Sequence, residues 1–180
     1  MSLVLGYANK DNAVIMSDGR AGIISEHYDK TRKINDKLIL GFAGIKEEVD
    51  MVLNPILDAI SGVPGINLDV FANILYDAFQ TKPKEVSYNS SFLLIGKDDN
   101  EAMSTCIIGS LTDFCIKKNI CENSRVLTIG GSIDGNIIND MYMKNIQIRS
   151  LDIFEVMRKT ITEVSALDTT VNSNCFYKQI

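Results

Sequence analysis

The chain has 180 residues, 46% of them apolar and 23% charged, and its formal net charge is −5. This length is enough for one domain, residues 1–180, to bury a core without disulfides or metals, and the acidic balance argues against nucleic acid as a partner. No apolar run approaches the ~18 residues of a membrane-spanning helix, and no basic segment leads into an apolar one at the N-terminus. We therefore expect no membrane partner and a cytoplasmic location.

The cysteines and the histidine do not form a metal-binding pattern. The four cysteines contain no Cys-x-x-Cys pair, and His27 is the single histidine. A zinc site needs such ligands at close spacing. We therefore expect no metal and no other cofactor, and free thiols in a reducing compartment.

Hydrophobic periodicity predicts strands and helices in turn. Short apolar runs bounded by turn-forming residues predict strands over 3–8, 13–17, 30–34, 37–43, 92–96, 102–108, 114–117, 126–129 and 174–180. Apolar residues at helical spacing predict helices over 45–60, 67–79, 134–145 and 150–165. We expect Pro55 to kink the first helix, because proline removes a backbone hydrogen bond and crowds the preceding turn.

The order of these elements predicts the fold class. Strands come first, followed by two helices, more strands, two further helices and a closing strand. Two pairs of helices need two apolar surfaces to cover, and two stacked antiparallel sheets supply them. The sequence therefore predicts an α+β fold, a four-layer α-β-β-α sandwich, with helices 45–60 and 67–79 on one side and helices 134–145 and 150–165 on the other.

Ser2 is a candidate nucleophile. Removal of Met1, which a small second residue permits, leaves Ser2 with a hydroxyl and a free α-amine. Such an amine has an ordinary pKa near ~8, so a useful fraction is neutral at pH 7 and can accept the hydroxyl proton. A base within the nucleophile's own residue activates N-terminal nucleophile enzymes. With Met1 retained, the Ser2 nitrogen is an amide and offers no base. Met-Ser is also an ordinary chain start, so the hypothesis depends on the motifs that follow.

Several short motifs, in order and at matching spacing, resemble those of proteasome β-type subunits. They are Ser2, the Ser17-Asp18-Gly19-Arg20-Ala21 segment, residues 30–34 and Gly41-Phe42-Ala43-Gly44. Residues 35–37 and 41–44 are most similar to the bacterial heat-shock-locus peptidase of that superfamily. The likeness is clear over residues 2–60 and returns at residues 129–132 and at Asp168. Between these parts it depends on element order alone.

The resemblance implies the residues of an active site. The family's N-terminal threonine falls on Ser2, its aspartate on Asp18, and the glycine whose N–H stabilises the oxyanion on Gly44. Its catalytic lysine falls on Lys30. The loop before this lysine is shorter than in the family, so Lys33 remains an alternative.

The resemblance also implies groups on the amine side of the nucleophile, where this chain departs from the family. A Gly-Ser-Gly turn near the nucleophile falls on residues 130–132, where the order of serine and glycine is exchanged at Gly131 and Ser132. The late aspartate falls on Asp168. The serine expected three residues later is Val171, which removes one hydroxyl from the implied site.

The implied activity is hydrolysis of amide bonds in peptides or unfolded proteins through an acyl-enzyme. The implied assembly is a homo-oligomeric ring, with an ATPase unfoldase as a further partner. Proteasome-like subunits without activity exist, so a non-catalytic structural subunit is one alternative. An N-terminal nucleophile amidohydrolase or transpeptidase with a specific acyl donor is another.

Overall fold

The chain folds into two antiparallel sheets covered by helices. The computed structural model describes residues 2–22, 25–81 and 88–180. Within these ranges the strands are β1 (Leu3–Ala8), β2 (Ala13–Asp18), β3 (Thr31–Asn35), β4 (Leu38–Ala43), β5 (Ser91–Lys97), β6 (Met103–Gly109), β7 (Lys117–Ile120), β8 (Arg125–Gly130) and β9 (Cys175–Gln179). The helices are α1 (Lys46–Ile60), α2 (Leu68–Gln80), α3 (Gly135–Ile146) and α4 (Ile153–Ser165). In the described part of the chain, no helix is both long and apolar enough to cross a membrane.

The strand order places the chain's first strand inside a sheet. One sheet has four strands in the order β8-β1-β2-β9, and the other has five in the order β3-β4-β5-β6-β7. All recorded pairings are antiparallel. The residues of β2 and β4 are buried along the whole length of each strand, because each strand has neighbours within its sheet and a layer on both faces.

Three apolar clusters separate four layers. One joins α1 and α2 to the five-stranded sheet, a second joins α3 and α4 to the four-stranded sheet, and a third lies between the sheets. The buried stripe of α1 consists of Val49, Val52, Leu53 and Ile56, at the spacing of one helical face. The fold is the predicted α-β-β-α sandwich, with the two helix pairs on the predicted sides.

The ends of the helices follow local capping signals. The Asn67 side chain accepts a hydrogen bond from the N–H of Val70 at the start of α2, and Asp152 and Glu155 form a reciprocal capping box on α4. The helix α1 continues through Pro55 without a break. Sequence periodicity thus located the ends of the helices to within one residue, except that α4 begins at Ile153, three residues after the predicted start.

One predicted strand lies elsewhere. The run 114–117 is not a strand, and β7 begins at its last residue, Lys117. Asp113 and Phe114 have φ values of 49° and 58°, a left-handed conformation that a strand cannot contain. The apolar side chain of Phe114 instead packs against Phe79 of α2, with ring centroids 5.0 Å apart.

Candidate active site

The ends of several strands converge at Ser2. Ser2 directly precedes β1, Asp18 ends β2 and Gly130 ends β8, and β1 lies between β8 and β2. In the other sheet, Gly44 follows the end of β4. Ser2 is buried, with 5% of its surface exposed. The fold therefore brings the predicted nucleophile beside residues that are far from it in sequence.

Lys30 and Asp18 form a buried ion pair. The Lys30 ammonium donates to Asp18 Oδ1 at 2.6 Å and to the Asp18 carbonyl at 3.1 Å. Asp18 Oδ1 also accepts the N–H of Leu3 at 2.8 Å, and Oδ2 accepts that of Arg20 at 2.9 Å. Burial lowers the pKa of the Lys30 ammonium, and the Asp18 carboxylate opposes this lowering. The pair is thus tied to the residue that follows Ser2.

Lys33 lies away from this cluster. Its ammonium pairs with Asp36 at 2.8 Å, and its side chain is 44% exposed. Lys30 directly precedes β3, whereas Lys33 lies within that strand. The geometry therefore favours Lys30 over Lys33 as the lysine near Ser2.

Gly44 occupies the junction between β4 and α1. Its φ is 135°, a conformation that side chains disfavour. A Cβ at this position would lie 2.5 Å from the Asn89 carbonyl oxygen and 2.6 Å from Ser90 Cα. Only glycine therefore fits here, one residue before the N-cap of α1 and near the positive end of the helix dipole.

The turn at residues 130–132 holds the other side of Ser2. The N–H of Gly131 donates to the Ser2 carbonyl at 2.7 Å, and the N–H of Ser132 donates to Asp168 Oδ2 at 2.6 Å. A Cβ on Gly130 would lie 1.8 Å from the Ser2 carbonyl oxygen, so the close approach requires glycine. The turn connects Asp168 to the nucleophile through backbone groups.

Asp168 is a buried carboxylate with several donors. Burial by itself raises its pKa, but the hydroxyl and N–H of Thr170, at 2.6 and 2.9 Å, and the Ser132 donors outweigh burial and hold the pKa at about 2. Val171, at the position of the expected serine, is 2% exposed and packs in the cluster beneath α3 and α4. No hydroxyl is available from Val171, whereas Thr170 supplies one directly to Asp168.

Two cavities meet at Gly44. The first, of about 220 Å³, has Ser2, Lys30 and Gly44 in its wall together with Tyr28, Phe42 and Val49; we call it the Lys30 cavity. The second, of about 290 Å³, has Gly44, Gly130 and Gly131 in its wall together with Ser110, Leu111 and Ile133; we call it the Leu111 cavity. Gly44 is common to both walls, so the two cavities adjoin at this residue.

Two features of the site were not predicted. Asn172 fixes the Asp18 segment through two hydrogen bonds. Its side-chain Oδ1 accepts the N–H of Gly19 at 2.8 Å, and its backbone N–H donates to Asp18 Oδ2 at 3.4 Å. Tyr28 lines the Lys30 cavity and donates from its hydroxyl to Asp50 at 3.1 Å. Neither residue carries a sequence signal, since asparagine after a helix and tyrosine in a loop are common. Among the described residues, no group of three or more His, Cys, Asp or Glu side chains could hold a metal ion.

Comparison with known proteins identifies the fold. No protein-family model and no curated protein sequence matches the chain. Its structure is similar to eukaryotic HslV from Trypanosoma brucei, with 17% identity, a TM-score of 0.72 and 98% of each chain covered. It is also similar to a mutant of Anbu from a Hyphomicrobium species, with 17% identity, a TM-score of 0.74, and 98% of this chain and 81% of that one covered. Anbu from Yersinia bercovieri, described as an ancestral β-subunit, is 14% identical with a TM-score of 0.72, over 98% and 80% of the chains.

These similarities cover nearly the whole chain. The chain has the fold of proteasome-like N-terminal nucleophile proteins, which confirms the resemblance inferred from its motifs.

Proposed function

We propose that this protein is an N-terminal nucleophile hydrolase that cleaves amide bonds of peptides or unfolded proteins with Ser2, after removal of Met1. The observation that carries the proposal is the Lys30 cavity, whose wall contains Ser2, Gly44 and the buried Lys30 paired with Asp18. A nucleophile, a cation and a glycine N–H at a helix start are the groups that acyl transfer needs.

In the proposed mechanism, Ser2 Oγ attacks the substrate carbonyl carbon while the Ser2 α-amine takes the hydroxyl proton. The Lys30 ammonium lowers the cost of the developing alkoxide, and Asp18 holds the lysine in place. The Gly44 N–H binds the oxyanion, an interaction of a kind typically worth about 3 kcal/mol of barrier.

The tetrahedral intermediate then collapses to the acyl-enzyme. The C–N bond breaks, and the leaving nitrogen takes its proton from the Ser2 α-ammonium. Water, deprotonated by the same amine, hydrolyses the Ser2 ester and restores the hydroxyl. Asp168 supports the amine side through the turn that contains Gly131 and Ser132. Every step uses groups of the chain and of water.

A non-catalytic structural subunit is the second candidate. It is favoured by the buried Val171 and by Gly131, which stand where the resemblance implies hydroxyl groups. The third candidate, an amidohydrolase or transpeptidase with a specific acyl donor, uses the same groups but differs in its products. The three are separated by labelling and product analysis.

The decisive experiment measures the mass and reactivity of protein from its native host. We expect intact mass to show loss of Met1, and a β-lactone probe to add one acyl group to Ser2. Ser2→Ala should abolish labelling, whereas Ser61→Ala, which replaces an exposed serine just beyond α1, should label as the wild type does. Retained Met1 in assembled native protein would overturn the proposal and favour the structural subunit.

Two matched variants test the role proposed for Lys30. Lys30→Met should slow labelling by at least about 100-fold, because the alkoxide loses its neighbouring cation. Lys33→Met changes a partly exposed lysine on the adjoining strand and should leave the labelling rate unchanged. Equal effects of the two substitutions would contradict the role proposed for Lys30.

We also propose that the protein forms a homo-oligomeric ring in the cytoplasm and works with an ATPase unfoldase. The fold likeness to HslV and to an ancestral β-subunit supports assembly, and the exposed apolar side chains of Met51, Ile137 and Met143 on α1 and α3 are compatible with it. Size-exclusion chromatography with light scattering should give a multiple of the 19.9 kDa chain mass. A monomer at tens of micromolar would defeat the ring.

A further inference from the structure

We infer that the Leu111 cavity binds the residue on the leaving-group side of the scissile bond and selects an uncharged, apolar side chain there. This inference rests on the proposed function. It assigns a second substrate site to a cavity in whose wall Ser2 is not found. The argument starts from where the two cavities lie relative to Ser2 and Gly44.

The four-stranded sheet separates the two sides of Ser2. Because β1 lies between β8 and β2, Asp18 at the end of β2 and Gly130 at the end of β8 flank the start of β1 from opposite sides. Lys30, bound to Asp18, lines the first cavity, and Gly130 lines the second.

In the five-stranded sheet, the two cavities likewise lie on opposite sides of one strand end. Gly44 follows β4, which lies between β3 and β5. Lys30 directly precedes β3, whereas Ser91 begins β5 and pairs with Gly109 at the end of β6. The Lys30 cavity therefore lies on the β3 side of Gly44, and the Leu111 cavity lies on the β5 side.

The direction of the substrate follows from the proton transfers. The leaving nitrogen takes its proton from the Ser2 α-ammonium, so it departs on the amine side of the nucleophile. The proposed mechanism assigns that side to Asp168, whose carboxylate binds Ser132 in the turn after β8. The leaving group is thus directed toward the Leu111 cavity, and the acyl side chain toward the Lys30 cavity.

The chemistry of the Leu111 cavity selects the ligand. Among the described residues that line it, none carries a charged side chain, and its wall combines the apolar Leu111, Ile129 and Ile133 with hydroxyls. A charged side chain entering it would lose hydration without gaining a counter-ion from any of the described residues in its wall. The Lys30 cavity, in contrast, has Lys46 and Glu47 in its wall.

The wall that carries Leu111 is held in place by hydrogen bonds. The Leu111 N–H donates to Ser91 Oγ at 3.2 Å, and Ser91 Oγ is also 3.2 Å from Ser110 Oγ. The Thr112 hydroxyl lies 2.7 Å from the Cys115 carbonyl. Leu111 is nevertheless 58% exposed, so this leucine offers an apolar surface that a substrate side chain can cover.

The test uses peptides that share one acyl side and differ only in the residue after the scissile bond. We expect kcat/KM to be at least about tenfold higher with leucine than with glycine at that position, since even one methylene in an apolar pocket discriminates by about this factor. Peptides with aspartate or lysine there should be cleaved more slowly than the glycine peptide. Leu111→Ala should reduce the leucine preference, while Val63→Ala, a matched substitution of an exposed residue outside both cavities, should preserve it.

The outcomes separate this inference from the proposed function. Labelling of Ser2 by the β-lactone, measured on each variant, reports the nucleophile and the folded state without using the Leu111 cavity. If Ser2 is labelled but all peptides are cleaved equally well, the inference alone is overturned. The same holds if Ser2 is labelled and the leucine preference is unchanged in Leu111→Ala. Absence of both labelling and cleavage in protein lacking Met1 overturns the proposed function and this inference with it.

Discussion

The Lys30 ammonium lies 2.6 Å from Asp18 Oδ1, and the two side chains are only 2% and 0% exposed. Removing two charges from water is costly, and their attraction offsets the cost only when the geometry is good. Here the Asp18 carboxylate also accepts backbone N–H groups of Leu3, Arg20 and Asn172, which satisfies its remaining lone pairs. The pair therefore links the stability of the fold to the position of Ser2.

Lys30→Met should destabilise the protein by about 3–5 kcal/mol, because it leaves the Asp18 carboxylate buried without its cation. The double variant Lys30→Met with Asp18→Asn removes both charges and should be less destabilised than Lys30→Met alone. Urea unfolding at pH 7 measures both. Lys33→Met, at the exposed pair with Asp36, should stay within about 0.5 kcal/mol of wild type. A double variant as unstable as the single one would contradict the burial of a coupled pair.

Gly44→Ala should destabilise the protein by more than the ~1–3 kcal/mol of backbone strain alone, because the new Cβ would also contact Asn89 and Ser90 backbone atoms. Gly62→Ala separates the effect of backbone strain from the effect of steric contact. Gly62 also has a positive φ, of 75°, but no atom lies within 4 Å of its Cβ position. Urea unfolding should show a clearly smaller loss for Gly62→Ala, and similar losses would refute the steric explanation.

Gly41→Ala should weaken the packing between the sheets. A Cβ on Gly41 of β4 would lie 2.6 Å from a Val4 methyl carbon and 2.7 Å from one of Ile15, so the side chains between the sheets must move, at a cost of about 1–3 kcal/mol. Gly135→Ala, at the first residue of α3 with open space around it, should be neutral or stabilising by up to about 1 kcal/mol. In thermal unfolding, Gly41→Ala should therefore lower Tm, whereas Gly135→Ala should leave Tm unchanged or raise it.

Asp168 should make the free energy of unfolding depend on pH in the acidic range. The hydrogen bonds hold its pKa at about 2 in the folded protein, below its ordinary value of 3.8, so its ionised form favours folding above pH 3.8. This contribution is lost as pH falls from about 5 toward 2, and about 1 kcal/mol of it is lost at pH 3. Asp168→Asn should therefore show a smaller difference in unfolding free energy between pH 7 and pH 3 than the wild type does.

The control for this measurement is Asp140→Asn, which replaces an exposed carboxylate on α3 and should keep the wild-type difference. If Asp168→Asn also kept it, the hydrogen bonds from Thr170 and Ser132 would not favour the ionised carboxylate.

Much of the fold was predictable because its signals are local. The stripe from Val49 to Ile56 and the Asp152–Glu155 capping box act within one or two turns of helix, and sequence periodicity reports such contacts directly. The strand predicted over 114–117 failed because the left-handed residues Asp113 and Phe114 continue a loop. An apolar run does not reveal whether its residues pack as a strand or pack from a loop.

The candidate site was predictable only where single residues have special chemistry. Ser2 and Gly44 carry such signals, as a candidate N-terminal nucleophile and as a glycine at a strand-to-helix junction. Asn172 does not, although it binds both Gly19 and Asp18. Its role depends on the loop after α4 returning to the end of β2, a contact between residues more than 150 positions apart.

By itself, the sequence determined the order of strands and helices, the two apolar helix pairs and the residue types available for catalysis, because these depend on near neighbours. Only the tertiary structure distinguishes the buried Lys30, paired with Asp18 in the wall of the cavity that contains Ser2, from the partly exposed Lys33, since two lysines in one short segment differ only in what surrounds them after folding. It also formed the Leu111 cavity, whose wall comes from four separate segments around residues 44, 90, 110 and 130. Cavities and buried charges arise from long-range packing, which no local pattern encodes.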